Sequence, residues 1–190
     1  MTKLFDNSIF IHIPKCGGMS VWLKHNPLHY SAFGFADQHV RCADYIEKYP
    51  SEVLQTWNAY SIVRNPWDRF VSWYTFHLPS HHVYQKYNSF SDWVKDGAPH
   101  HWSEYRERDA FNPYQQVSWL TEDGSADGEL AIPQTMVYKL EHISRLLHGT
   151  ENQSKRTPYV EYYQDQKTID IVTEISQYDI ERFGYEYNRI

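Results

Sequence analysis

The chain has 190 residues, with 18 lysines and arginines against 24 aspartates and glutamates, a formal net charge of −6 and two cysteines. That length predicts one domain over residues 1–190, with a core large enough to need no staples. The negative balance excludes a generally basic, nucleic-acid-binding surface, so any anion site has to be a local cluster of cations. Cys16 and Cys42 are too few for a disulfide framework, and Cys16 lies in a turn badly placed for a bridge. With no signal peptide and no apolar run of membrane-spanning length, the expectation is a soluble, cytoplasmic protein. Sixteen tyrosines, seven tryptophans and nine phenylalanines serve a core, and also suit stacking on an adenine or a sugar face.

The first predicted element is a buried strand through Ile9, Phe10, Ile11 and Ile13, short and stopped by Pro14. Gly17-Gly18 break regular structure, and Met19 to His25 contains no breaker and starts a helix. A strand, a glycine turn carrying Lys15, and a helix start together make an anion site. The glycines let backbone N–H groups approach an oxyanion, the helix start adds partial positive charge, and Lys15 adds a full one. The order is not that of a Walker A loop, because the lysine precedes the glycines. A plain strand-to-helix turn is the alternative.

Residues 21–36 run from that helix into an aromatic loop, and Ala36 opens a helical segment to about Tyr49 with Asp37 as its cap. On it, His39 carries an imidazole suited to taking a proton near neutrality. The alternative is a surface or capping histidine.

Tyr60 to Val63 is a second short strand, ending at Arg64. Asn65 is placed as an N-cap and Pro66 at the first helical position, and Trp67, Phe70, Val71 and Tyr74 form the buried stripe. Arg64 at the strand end and Ser72 about two turns on are read as converging on one phosphate. Alternatively, Arg64 pairs with Asp68 and Ser72 only packs. Lys15, Arg64, Arg69, Lys155 and Arg156 are the cations available to a cluster.

From His77 to His101 the chain is polar and aromatic, with a short helix at Phe90 to Lys95. His77, His81-His82 and His100-His101 invite a metal reading. Adjacent histidines rarely both face one ion, however, and no zinc-type Cys or carboxylate spacing accompanies them, so no metal is expected. Trp93, Trp102, Tyr105, Arg106 and Arg108 are candidates for an acceptor surface or a solvated loop. Glu122-Asp123-Gly124 is an exposed turn extending to Gly128. Thr135 to Leu140 is a strand, and Glu141 opens a helix, where it either orients substrate or braces the strand end, with bracing preferred. Asp165 to Tyr178 is an amphipathic helix with Ile171, Val172, Ile175 and Tyr178 on one face, and Gly184 is a helix stop.

Pro14-Lys15-Cys16-Gly17-Gly18-Met19-Ser20 followed by Val63-Arg64-Asn65-Pro66-Trp67-Asp68-Arg69-Phe70-Val71-Ser72 resembles the two cofactor loops of sulfotransferases that use 3′-phosphoadenosine 5′-phosphosulfate (PAPS). The likeness is closest to the branch acting on carbohydrate hydroxyls. It extends through the Asn112-to-Leu120 segment and the Glu141 strand end to the basic loop Asn152-to-Tyr159, which holds Lys155 and Arg156. It implies that Lys15, Cys16, Gly17, Gly18, Met19 and Ser20 hold the 5′-phosphosulfate, and that Arg64 and Ser72 hold the 3′-phosphate. Lys155 and Arg156 would close over the nucleotide, and His39 resembles the histidine such enzymes place between the loops. Met19 departs from the usual threonine and removes one hydroxyl contact.

The expectation is therefore an α/β fold, a small parallel sheet flanked by helices and related to the P-loop kinases. Both loops would lie at the C-terminal edge of adjacent strands. The implied activity is in-line sulfuryl transfer from PAPS to an acceptor hydroxyl, leaving 3′-phosphoadenosine 5′-phosphate (PAP). Fixed cations would do what Mg²⁺ does in phosphoryl transfer. A small-molecule kinase using ATP and a non-catalytic nucleotide- or glycan-binding module are the alternatives. The residues leave glycan, small metabolite and peptide tyrosine open as acceptors.

Overall fold

The computed structural model describes residues 8–25, 39–101, 112–133, 135–143 and 156–187. Strands β1 (Ser8–Ile11), β2 (Asn58–Val63) and β3 (Met136–Lys139) form a parallel sheet in the order β1-β2-β3. Its helices are α1 (Gly18–His25), α2 (Cys42–Lys48), α3 (Ser51–Thr56), α4 (Pro66–His77), α5 (His82–Gln85), α6 (Phe90–Lys95), α7 (Leu140–Ile143), α8 (Gln166–Ile175) and α9 (Gln177–Phe183). None among the described residues is long and apolar enough to cross a membrane.

Every residue of β1 is buried, as is β2 after Asn58, which explains their apolar runs. Register pairs Ile11 with Ser61 and Val63 with Lys139. In a parallel sheet this sends the chain out of β1 and β2 at the same edge. The Ser61 hydroxyl donates to the Ile11 carbonyl at 2.8 Å and ties the two strand ends together.

Beyond β2 the helix start is set by its own neighbours. Asn65 caps α4, its side chain accepting from the Asp68 N–H at 3.2 Å, and Pro66 occupies the first helical position. The stripe Trp67, Phe70, Val71 and Tyr74 is buried as its spacing predicts, and Trp73 joins it. Trp73, Tyr84, Trp93 and Tyr114 fill the interior beside Phe70, so much of the aromatic stock is core. Trp93, a candidate for an acceptor surface, is wholly buried, its indole N–H donating to the Pro99 carbonyl. Trp102, Tyr105, Arg106 and Arg108 lie outside the described residues.

Two helix boundaries differ from expectation. The segment predicted to begin at Ala36 begins at Cys42, because Arg41 caps it through its N–H to the Asp44 carboxylate at 2.7 Å. Asp37 lies outside the described residues, and His39 precedes the helix instead of riding on it. The helix predicted over Asp165 to Tyr178 is capped by Asp165 but stops at Ile175. Ser176 turns the chain into α9, and Gly184, in the left-handed conformation at φ 60°, ends that second helix. The bend leaves Tyr178 exposed and carries Asp179 into the interior.

Candidate active site

Lys15 itself takes a left-handed backbone, φ 65°, and Gly17 follows at φ 78°. A side chain on Gly17 would stand 2.8 Å from Leu140 Cδ1. At Gly18 the restriction is tighter: a Cβ would lie 2.0 Å from the His12 imidazole, which packs directly over that residue. The glycine pair thus serves close packing as well as access to backbone amides.

Lys15 Nζ sits 3.4 Å above the Phe76 ring, near the end of α4. Burial and then Arg64 push its ammonium down to about 7, with Cys16 pulling the other way and Arg156 and Arg69 adding smaller pushes down. Arg64 donates from Nη1 to the Lys15 carbonyl at 3.0 Å, so the two strand-end loops touch. Its Nε and Nη2 both reach Asp68 Oδ2 at 2.7 Å, which is the ion pair weighed from the sequence. Arg156 binds the other oxygen of the same carboxylate. Two guanidiniums on one carboxylate, with Lys15 beside them, leave a local surplus of positive charge on a chain of net charge −6. Lys155 lies outside the described residues.

Ser20 is buried in the first turn of α1, its N–H donating to the Gly17 carbonyl at 3.1 Å, and Met19 is half-buried. Ser72 is buried two turns along α4. Cys16 points inward, its thiol donating to Gln116 Oε1 at 3.1 Å, and burial pushes that thiol up to about 12. Of Cys16 only the backbone is on offer to an anion. Arg69, counted among the available cations, is wholly buried and spends its donors on the carbonyls of Pro14, Tyr114 and Pro113. It is a clamp on the first loop, since a buried guanidinium needs its N–H groups satisfied.

His39 approaches the same loop. Its Nδ1 lies 2.9 Å from the His12 carbonyl, which can only accept, so Nδ1 carries the proton and Nε2 is the basic nitrogen. The His39 and His12 rings are 4.3 Å apart. Through His12, which covers Gly18, the imidazole is seated against the lysine turn.

Sequence reasoning placed Gln116 in a family-like segment without giving it a role, and missed Asp179. Gln116 Oε1 accepts from the Arg64 N–H as well as from Cys16, and its Nε2 donates to the Arg64 carbonyl at 2.8 Å. Asp179 accepts from the N–H groups of Gln116 and Val117, both at 2.8 Å, and from Gln116 Nε2. Burial pushes its carboxyl up to about 6 against the pull of those donors. Glu141 braces as expected, accepting from the Asn65 N–H at 2.6 Å and from the Tyr185 hydroxyl. A groove of about 600 Å³ between α2, α3 and Ala131–Pro133 is lined by none of the proposed phosphate-binding residues.

Two strand-end loops touch through Arg64 and the Lys15 carbonyl and bring a lysine, an arginine and a capped helix start together. The model of the Sulfotransferase family matches residues 5–186. The chain belongs to the sulfotransferase family. Comparison with curated proteins and with solved structures gives no match. In this sulfotransferase the family match spans the lysine loop, the arginine loop and the α8–α9 pair, and supports sulfuryl transfer to an acceptor hydroxyl.

Proposed function

We propose that this sulfotransferase takes PAPS as donor and moves its sulfuryl group to a hydroxyl, with carbohydrate as the acceptor class. The observation that carries the donor assignment is the Arg64 contact to the Lys15 carbonyl, which joins the two loops under one surplus of positive charge. A bisphosphate suits such a donor set, because it needs cations at two places and backbone amides at one. Lys15, the turn amides from Cys16 to Ser20 and the start of α1 would stabilise charge on the 5′-phosphate side. Arg64, Arg156, Ser72 and Lys155 would hold the 3′-phosphate.

When the acceptor oxygen bonds to sulfur, the bond from sulfur to the 5′-phosphate oxygen breaks and PAP departs. The acceptor proton goes to His39 Nε2, which the His12 carbonyl keeps in the basic tautomer. No divalent ion is needed at the phosphates, since fixed side-chain cations oppose the charge that develops there.

The testing experiment is a titration with PAP and with ATP, on the native chain and on Arg64→Ala. Losing one charge-assisted contact is worth about 1.5–3 kcal/mol, roughly ten- to over a hundredfold in affinity. The expected outcome is tight PAP binding, weak ATP binding and that loss in the variant. Equal affinity for both nucleotides, or no effect of the substitution, would count against the assignment. Transfer of radiolabelled sulfate to a panel of glycans, phenols and small alcohols then reads the acceptor class.

A further inference from the structure

We propose that His77, His81 and His101 form a binding site for a divalent transition ion, Zn²⁺ before others, at the end of α4. One ligand atom from each lies within 4.8 Å of the other two. Neighbouring histidines do not readily share an ion, and the fold meets that objection by taking one imidazole from each pair. His82 is exposed and His100 packs on Trp73 and Tyr114, while His81 and His101 turn to His77.

The backbone sets this up. Leu78 continues the helical conformation, and the His81 N–H donates to the His77 carbonyl at 2.9 Å. That i-to-i+4 bond puts both imidazoles on one face, with ring centres 5.2 Å apart. His101 arrives after α6, its ring centre 4.4 Å from each of the other two. Its Nδ1 lies 3.2 Å from the Tyr84 hydroxyl, which also accepts from the Trp73 indole N–H at 2.7 Å. Ligating histidines are oriented in this way, with the second ring nitrogen held by a fixed polar partner. With the His101 proton on Nδ1, facing the Tyr84 oxygen, Nε2 is the nitrogen offered to the ion.

Three imidazoles favour Zn²⁺, Cu²⁺ or Ni²⁺ over Mg²⁺ and Ca²⁺, which take oxygen ligands. Tetrahedral Zn–N bonds of about 2.0–2.1 Å require nitrogens about 3.3 Å apart, so small ring rotations close the site. Three protein ligands leave a fourth position for water or an acceptor group. The site adjoins the donor assignment, since Phe76 lies between Lys15 and His77, but its ligands include none of the proposed phosphate-binding residues.

The test is metal binding by the full, untagged chain, with Zn²⁺ titrated in competition with a chromophoric chelator and Co²⁺ followed by its visible absorption. One equivalent of ion is expected, with a tetrahedral or five-coordinate Co²⁺ spectrum and no competition from Mg²⁺. His81→Ala, at a half-buried position, should lower Zn²⁺ affinity at least tenfold, and His77→Gln should do the same. His82→Ala should change it less than twofold. Absence of a saturable equivalent in the native chain, or an equal loss in His82→Ala, would overturn the site. Because the readout is metal binding alone, failure here leaves the donor assignment standing, and loss of PAP binding leaves this site standing.

Discussion

The Gln116 side chain grips the backbone of Arg64 at both ends, accepting from its N–H at 2.7 Å and donating to its carbonyl at 2.8 Å. The same side-chain oxygen takes the Cys16 thiol, so one buried amide sets the spacing of the lysine and arginine loops. Gln116→Leu keeps the volume but leaves Arg64 without both of these bonds and Asp179 without one of its donors. A buried polar group left unsatisfied costs about 1–3 kcal/mol, so urea unfolding should shift by that order. PAP affinity should fall with it, as Arg64 loses its fixed position. An unchanged unfolding midpoint would show that Gln116 is not what holds the loops.

Gly18 makes a narrower demand. Alanine there puts a methyl 2.0 Å from the His12 ring, and overpacking of this kind costs about 1–3 kcal/mol. The ring has to move, and His39 rests on the His12 carbonyl and ring. Gly18→Ala should therefore lower turnover more than it lowers PAP affinity, in a protein that still folds by circular dichroism. Equal falls in both would place the damage in the phosphate turn itself.

Much of this was legible locally. The strand, turn and helix around Lys15, the Asn65-Pro66 helix start and the Gly184 stop all follow from neighbours within a few residues. Contacts between distant residues were not legible. Arg69 looks like a surface cation until three carbonyls, each more than forty positions away, are found around its guanidinium. Gln116 and Asp179 have no local signature, because their partners come from β2's end and from the 3₁₀ turn at Val117–Trp119. The helix break at Ser176 is of the same kind: α8's periodicity runs on, but α9 turns to deliver Asp179 to those amides. For Arg64 the sequence offered two readings. The Asp68 pair is present, and the shared carboxylate also draws in Arg156.

His39 is open to a kinetic test. General-base assistance is worth about 10²–10⁴ in rate. His39→Ala should lower kcat by that order while PAP binds nearly as before. His39→Gln retains an N–H to reach the His12 carbonyl but has no basic nitrogen, so it should be as slow as alanine. If glutamine restored turnover, the residue's part would be positioning, not proton removal.

Lys15 should make PAP binding depend on pH. The groups facing it are Arg64, Arg156, Arg69, Cys16 and, close by, His77. Between pH 7 and 9 the guanidiniums are permanent cations, the thiol stays neutral below about 12 and burial holds His77 down at about 3. The free site therefore loses a proton from Lys15 as pH rises through about 7. A phosphate beside the ammonium favours its charged form, so binding above that pH takes up a proton. PAP's own phosphate, with a second pKa of about 6, contributes no slope there. Affinity should fall toward tenfold per pH unit above about 7, with uptake approaching one proton in buffers of differing ionisation enthalpy. Folding shows the opposite slope. The unfolded chain holds this proton up to 10.5 and the folded one releases it near 7, so the Lys15 contribution to stability rises with pH across that window. Lys15→Gln should flatten both profiles. A native PAP affinity that stays level from pH 7 to 9 would remove Lys15 from the phosphate contacts.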